Sequence, residues 1–344
     1  MHCAKSILKT VKRAGHLIEQ VADTDNLLLA FYKAQRGKQG KAEVIRYREH
    51  LDEHIAELQR QLLDGTVPVG NYHTFYVYDP KQRLICAASF GERVLHHALM
   101  NVCHQNFERH LIDSTYATRL GKGTYKAIEH AFRAMNGYSY VAKLDVRKYF
   151  DSVDHIVLKR QLRRLFKDKV LLSVFDAIID SYQTADGLGL PIGNLTSQYF
   201  ANHYLSGCDH HIKEKLRVPE YVRYMDDMLL FGNDVCTLRK AVDEVARYVG
   251  EVLHLQIKPP IVVSTAVGVP FLGYRLKRHR VGLTCRSRNR FARKMSLYGQ
   301  LVCAGVWTGQ QYHEHIAPLV AFTNHAYVKR WRRRMVESRG TLTA

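Results

Sequence analysis

Val44, Tyr47, Leu51, Ile55, Leu58 and Leu62 recur every three or four positions. That apolar stripe predicts one amphipathic packing helix, which Gly65 can end. Residues 1–70 as a whole read as helical. From residue 71 the pattern changes. Tyr76, Val77 and Tyr78 precede Asp79-Pro80, and Leu84-Ile85 follow Lys81 and Arg83, which predicts two strands around a turn with basic side chains at its tip. A helix-like stretch follows over 90–107. Tyr140 to Leu144 form a short apolar strand that ends in Asp145, and Ser152 or Asp154 can cap a helix starting near His155. Residues 187–193 make a glycine-rich turn, and 194–208 an apolar-rich helix. Residues 221–231 read strand, tight turn, strand, with Met225-Asp226-Asp227 at the turn. The run Met228-Leu229-Leu230-Phe231 suits a buried strand.

Length and composition add bounds. A chain of 344 residues suits two or three lobes on a continuous core, and 46% hydrophobic residues argue against disorder. The formal net charge of +19 points to an extended polyanion as partner, against the blander readings of a ribosomal-type, merely basic or membrane-surface protein. No apolar run approaches a bilayer span, and residues 1–12 lack the features of a secretory signal. The seven cysteines are widely spaced with no C-x-x-C pair, as expected of reduced thiols in a cytoplasm. His96-His97, His210-His211 and His313-Glu314-His315 lack H-x-x-x-H spacing. His50 and His54 have it but lack the glutamate of H-E-x-x-H, so a solvated helix face is the expectation there.

Charge is not spread evenly. From Val252 to His313 there is no Asp or Glu, but there are ten Lys and Arg residues, nine of them between positions 275 and 294. These nine are Arg275, Lys277, Arg278, Arg280, Arg286, Arg288, Arg290, Arg293 and Lys294. An acid-free stretch of that length favours a nucleic-acid track over a solvated face. Lys329, Arg330, Trp331, Arg332, Arg333 and Arg334 add a basic cluster with an aromatic that could stack or anchor. Gly121-Lys122-Gly123-Thr124 lacks P-loop spacing and is weak evidence for phosphate contact.

Two acidic sites carry the chemistry. Asp145 ends a buried strand, and Asp226 and Asp227 sit on a turn between apolar segments. Adjacent carboxylates in apolar surroundings repel and are costly to desolvate unless a cation compensates. Hard oxygen ligands select Mg²⁺, with Mn²⁺ as a substitute. Two such ions would serve an in-line phosphoryl displacement.

The ordered series resembles a reverse transcriptase over nearly all of 74–275. Lys143 to Phe150 resemble the family's first catalytic motif, Tyr224-Met225-Asp226-Asp227 its signature motif, and Phe271-Leu272-Gly273-Tyr274 its primer grip. The resemblance implies an α+β right-hand polymerase fold with fingers, an antiparallel palm and a helical thumb. The expected layout is a helical extension over 1–70, fingers over 71–138, palm over 139–274 with part of the fingers inserted, and a basic thumb and tail over 275–344. Asp145, Asp226 and Asp227 would bind two metals, Asp227 the more weakly, and Val146 would lend a backbone carbonyl. Lys148 and Tyr149 would offer backbone N–H groups to the incoming triphosphate. Phe150 would be the gate against a ribose 2′-OH. Arg83 and Lys81 would reach the triphosphate from the fingers.

The glycine-rich turn narrows the resemblance. Where most reverse transcriptases carry Gln-Gly-x-x-x-Ser-Pro, this chain has Ile192-Gly193-Asn194-Leu195-Thr196-Ser197-Gln198. That is similar to the enzymes of diversity-generating retroelements, which implies adenine-mutagenic cDNA made from a template-repeat RNA to diversify a protein-coding gene. Ile192, Gly193, Ser197 and Gln198 would line the nucleotide or template pocket. Template RNA, a DNA or RNA primer, dNTPs and a small basic oligomeric accessory protein are the implied partners. The competing readings are a defence-associated reverse transcriptase of abortive-infection or retron type, a catalytically silent RNA-binding relative, and a metal-dependent nuclease. Past residue 294 there is no acidic set for RNase H or nuclease chemistry.

Overall fold

The computed structural model describes residues 13–78 and 82–339, so Lys81 lies outside the described residues. The described chain opens with α1 (Ile18–Val21), α2 (Thr24–Ala34), α3 (Ala42–Glu49) and α4 (Leu51–Asp64). The hairpin β1 (Tyr72–Val77) and β2 (Arg83–Ala88) follows, then α5 (Phe90–Glu108) and α6 (Thr124–Gly137). Strand β3 (Tyr140–Asp145) leads to α7 (His155–Leu165), α8 (Lys169–Asp180), α9 (Leu195–Tyr204) and α10 (Ser206–His210). Next come β4 (Glu220–Tyr224), β5 (Asp227–Gly232), α11 (Val235–Glu251) and β6 (Ile261–Ser264). A meander of β7 (Val269–Phe271), β8 (Tyr274–Lys277) and β9 (Arg280–Leu283) precedes α12 (Cys285–Cys303), α13 (Gly309–Asn324) and α14 (Lys329–Arg339).

The chain forms two compact units, each assembled from three separate segments. The first gathers Met1–Ile112, Arg147–Asp209 and Tyr248–Gln256. Here α2 packs on α5, burying Leu27, Ala30, Phe31 and Ala34, with Phe31 edge-on to Phe90 at 6.0 Å. Phe107, Phe166, Phe175 and Phe200 form a second aromatic core. The Asp168 carboxylate caps α8 by accepting from Leu171 N and also accepts from Leu17 N and Ile18 N, which ties α1 to the same point. Asp154, not Ser152, caps α7 through Val157 N.

Two helix predictions need correction in this unit. The 44–62 stripe is two helices, because the backbone leaves the helix at His50 (φ −120°, ψ 39°). The bend lets the Tyr47 ring stack on His54 at 4.3 Å while meeting Phe90 at 5.0 Å. Gly65 does end α4, at φ 69°. The 194–208 helix is likewise broken after Tyr204, with α10 starting at Ser206.

The second unit gathers Asp113–Val146, His210–Arg247 and Ile257–Ala344. Its main sheet is antiparallel with strand order β4-β5-β3-β6, and its second sheet has order β7-β8-β9. Side chains alternate across a strand, and directly paired residues share a face. Val141, Lys143 and Asp145 of β3 therefore share one face with Asp227, Leu229 and Phe231 of β5. The apolar stripe of α6, Ala127, Ile128, Ala131, Ala134 and Met135, joins one core with Val141, Leu229 and Phe231. One end of that face is thus packed under α6, and the other end carries the acids.

Candidate active site

The register sets Asp145 opposite Asp227, and Tyr224 opposite Asp227, so Met225 and Asp226 alone form the hairpin turn. Asp227 is the first residue of β5 rather than a turn residue. Met225 has φ 53°, a left-handed backbone that few non-glycine residues adopt. A brace holds it there. Arg223, fully buried, donates from Nη1 to the Met225 carbonyl at 3.0 Å. Its own backbone is clasped by the preceding segment, with Arg223 N donating to Ser114 O and Tyr116 N donating to Arg223 O.

The acids meet lysines. Lys143 lies two residues before Asp145 on the same face. Its Nζ is 3.1 Å from Asp227 Oδ1, donates to Oδ2 at 3.4 Å, and donates to the Pro270 carbonyl at 2.9 Å. Asp227 Oδ1 is buried and, beyond the Lys143 ammonium at 3.1 Å, has no hydrogen-bond partner. Burial pushes the Asp227 carboxyl up to about 6, against the pull of Lys143 and with Asp145 and Asp226 adding to the rise. Lys258 Nζ donates to Asp145 Oδ1, and Lys258 N donates to the Asp145 carbonyl at 2.9 Å. Val146, just beyond, is buried and bridges to Ile257. Among the described residues, no three His, Cys, Asp or Glu side chains are gathered to hold a metal ion as they stand. The donor set still fits a hard cation, because it is all carboxylate and includes one buried oxygen answered only by the charge of a lysine.

In the first unit, Lys148 is exposed with φ 44°, and a 3₁₀ turn, Tyr149–Ser152, follows. Tyr149 is buried and its hydroxyl donates to the Ala201 carbonyl. Phe150 is half-buried, and its carbonyl accepts from Leu190 N at 2.7 Å, which zips this turn to the glycine-rich one. Ile192 in turn accepts from Cys86 N of β2 at 2.8 Å, and Asn194 Oδ1 accepts from Ala88 N at 3.1 Å. Gly193 has φ 125°, and a Cβ there would meet Ile85 Cγ2 at 2.9 Å, so only glycine fits between turn and hairpin. Phe150, Ile192, Gly193 and β2 therefore form one wall. Arg83 opens β2, three residues and roughly 10 Å along the strand from Cys86. Ser197 is buried within α9 and Gln198 is exposed.

The Phe271-Leu272-Gly273-Tyr274 segment is a two-residue hairpin turn, with φ 48° at Leu272 and 87° at Gly273. Ser287 Oγ donates to the Gly273 carbonyl at 2.7 Å, and Tyr274 Oη donates to the Phe322 carbonyl at 2.6 Å. Both bonds pin the turn to α12 and α13. Of the basic track, Arg275 and Lys277 lie on β8, Arg278 in the turn and Arg280 on β9. Arg286, Arg288, Arg290, Arg293 and Lys294 lie on α12.

Several sequence signals have another use. Lys122 Nζ bonds the Asp113 carbonyl at 2.8 Å and covers the Tyr116 ring, so the Gly-Lys loop is a structural clasp. His96 and His97 are held uncharged by burial, pushed down to about 3 and about 4. Sequence reasoning missed Lys143, Lys258 and Arg223 as site residues. The period-2 relation of Lys143 to Asp145 could have found the first; Lys258 is 113 residues from its partner and left no local signal.

A palm sheet that sets a strand-end carboxylate against a carboxylate hairpin belongs to the right-hand polymerase fold. The chain is a member of the family described as reverse transcriptase (RNA-dependent DNA polymerase), whose model matches residues 79–276. Similar solved structures include apo telomerase from Candida Tropicalis truncated from its C-terminal domain, at 13% identity and TM-score 0.48, covering 62% of this chain and 55% of that one. Apo telomerase from Candida Tropicalis matches at 11% identity and TM-score 0.46, covering 67% and 52%. The chain spans about half the length of these structures. No curated protein matches it. Among the described residues, no helix is long and apolar enough to cross a membrane.

Proposed function

We propose that this chain extends a primer 3′-OH on an RNA template with dNTPs, and that its cDNA is adenine-mutagenic, as in diversity-generating retroelements. The observation that carries the polymerase reading is the register that sets Asp145 against Asp227 across a hairpin bearing Asp226. These three carboxylates and the Val146 carbonyl would hold two Mg²⁺ ions, or Mn²⁺ in their place. When bound, such ions supply Lewis-acid stabilisation to the attacking and leaving oxygens of phosphoryl transfer. The protein's own groups do the rest. Arg223 fixes the turn before substrate arrives. Lys258 and Lys143 orient Asp145 and Asp227, and the half-exposed Lys258 can turn outward. Backbone N–H groups at Lys148 and Tyr149 orient the triphosphate, with Arg83 and Lys81 offsetting its charge. The Phe150 ring excludes a 2′-OH. The primer grip and the basic α12 face hold the primer and template.

The mutagenic reading rests on the turn from Ile192 to Gln198, and within it on Ile192. A glutamine at that place can hydrogen-bond to the substrate and enforce pair geometry, and isoleucine cannot. A small basic accessory protein and a structured template-repeat RNA complete the proposal. Incubation with primed RNA, dNTPs and Mg²⁺ is expected to give extension that Asp145→Ala abolishes. Cleavage without extension would mark a nuclease instead. Ile192→Gln is expected to lower errors opposite adenine, and an unchanged error spectrum in sequenced cDNA would refute Ile192 as their cause; wild-type cDNA without excess errors at template adenines would refute the mutagenic assignment.

A further inference from the structure

The acid-free basic track does not form one surface. On α12, Arg286, Arg290 and Arg293 are exposed and recur at i, i+4 and i+7, a single stripe. Arg288 lies roughly 160° around the helix from that stripe, at about 100° per residue. It lines instead an open groove of about 680 Å³ together with Arg280 of β9 and Lys329, Arg330, Arg332 and Arg334 of α14. No acidic side chain lines this groove. The Arg288 guanidinium lies 5.8 Å over the Trp331 ring, and its Nε is buried with no hydrogen-bond partner. Arg332 is held in place by Thr323 and Asn324. Arg333, on the same helix but outside the groove, pairs with Glu337 at 2.7 Å.

Cations crowded this way repel one another, and the arrangement becomes favourable when a polyanion enters. Guanidinium forks match phosphate oxygens. Helix α14 also begins in the groove at Lys329, so its positive end adds to the field there. We propose that this groove binds the phosphodiester backbone of single-stranded RNA that flanks the copied region. It is a second nucleic-acid site, on a different side of α12 from the Arg286, Arg290 and Arg293 stripe. The inference rests on the polymerase reading for its choice of RNA as the polyanion.

The test compares a blunt primer–template hybrid with the same hybrid carrying a single-stranded RNA extension, by fluorescence anisotropy on the full chain. The variant is Arg330→Glu/Arg334→Glu, two exposed positions whose change leaves the packing intact. The wild type is expected to gain at least about tenfold in affinity from the extension, and the variant less than about twofold, with the salt slope shallower by about 1.4 for two lost phosphate contacts. Blunt-hybrid affinity and primer extension are expected to be unchanged in the variant. A variant that keeps the full gain overturns the site. A variant that loses blunt-hybrid affinity equally shows that the groove belongs to the duplex surface, and overturns it too. Displacement of the RNA extension by polyglutamate at lower concentration than by unlabelled RNA would make the groove an acidic-protein site, again against the proposal. A wild type that shows the gain but never extends a primer supports the groove and sinks the polymerase reading alone.

Discussion

Met225 holds a backbone conformation that costs a side chain of its kind on the order of 1–3 kcal/mol, and it persists because its surroundings over-determine it. Arg223 is the determining residue. Arg223→Met removes the donor to the Met225 carbonyl and lets the turn relax. The expected result is a fall in kcat of about tenfold or more with KM for dNTP little changed, since small displacements of reacting groups are costly. Equal falls in kcat and folded fraction, followed by thermal melting, would mark a merely structural role. Asp227 gives a second prediction. Its folded value of about 6 lies above the ordinary 3.8, so its ionisation opposes folding. Stability is expected to fall as pH rises from about 4 to about 6 and to level off above. Asp227→Asn should therefore stabilise the chain by about 3 kcal/mol at pH 7, and by little near pH 4, while abolishing extension. Melting in EDTA at the two pH values checks this, and an equal gain at both would contradict it. The carboxylates themselves were legible because their adjacency in apolar sequence demands compensation. The lysines that answer them were not, since sheet register brings Lys258 from far downstream.

Among the elements, α8 and α1 share one anchor. Burial pulls the Asp168 carboxyl upward, but the N–H groups of Leu171, Ile18, Leu17 and Val170 outweigh it and hold the group below the ordinary carboxylate value. Its contribution to stability is therefore present above the unfolded value and lost as pH falls through the folded one. Asp168→Ala is expected to cost about 1–2 kcal/mol at pH 7, typical of a lost cap, and progressively less in acid. Chemical denaturation at pH 7 and pH 3 measures the difference; an equal cost at both would remove the carboxylate from the account. The strands around the turn and the α5 span followed from periodicity, and capping chemistry narrowed the α7 cap to Ser152 or Asp154, of which the structure uses Asp154. The break at His50 did not, because spacings of three and four continue through it and a stripe registers the face, not the axis. The Leu272-Gly273 turn was readable only in part. The segment was recognised only by its resemblance to a primer grip, and nothing local announced that leucine would take a positive φ beside the glycine.

Over the whole molecule, a net charge of +19 makes binding a matter of released counterions. Affinity for a primed template should fall steeply between low and physiological salt. Arg286→Glu/Arg290→Glu should weaken the blunt hybrid and flatten its salt dependence by about 1.8 in the log–log slope, at about 0.9 per duplex phosphate. An unchanged slope would place the duplex elsewhere. The acid-free basic stretch was legible in the sequence, but its division between two faces of α12 was not, because that depends on where helices start and how they are phased. The interleaved segments have a further consequence, for synthesis. Strand β3 sits between β5 and β6, both encoded well downstream. On a ribosome adding about 5–20 residues per second, β3 waits on the order of ten seconds with both edges bare before Gly232 has emerged, and its second edge stays bare until Ser264 follows. Nascent chains stalled before β6 should thus be the species that chaperones hold, and expression should respond to translation speed over residues 146–264 more than to speed anywhere earlier.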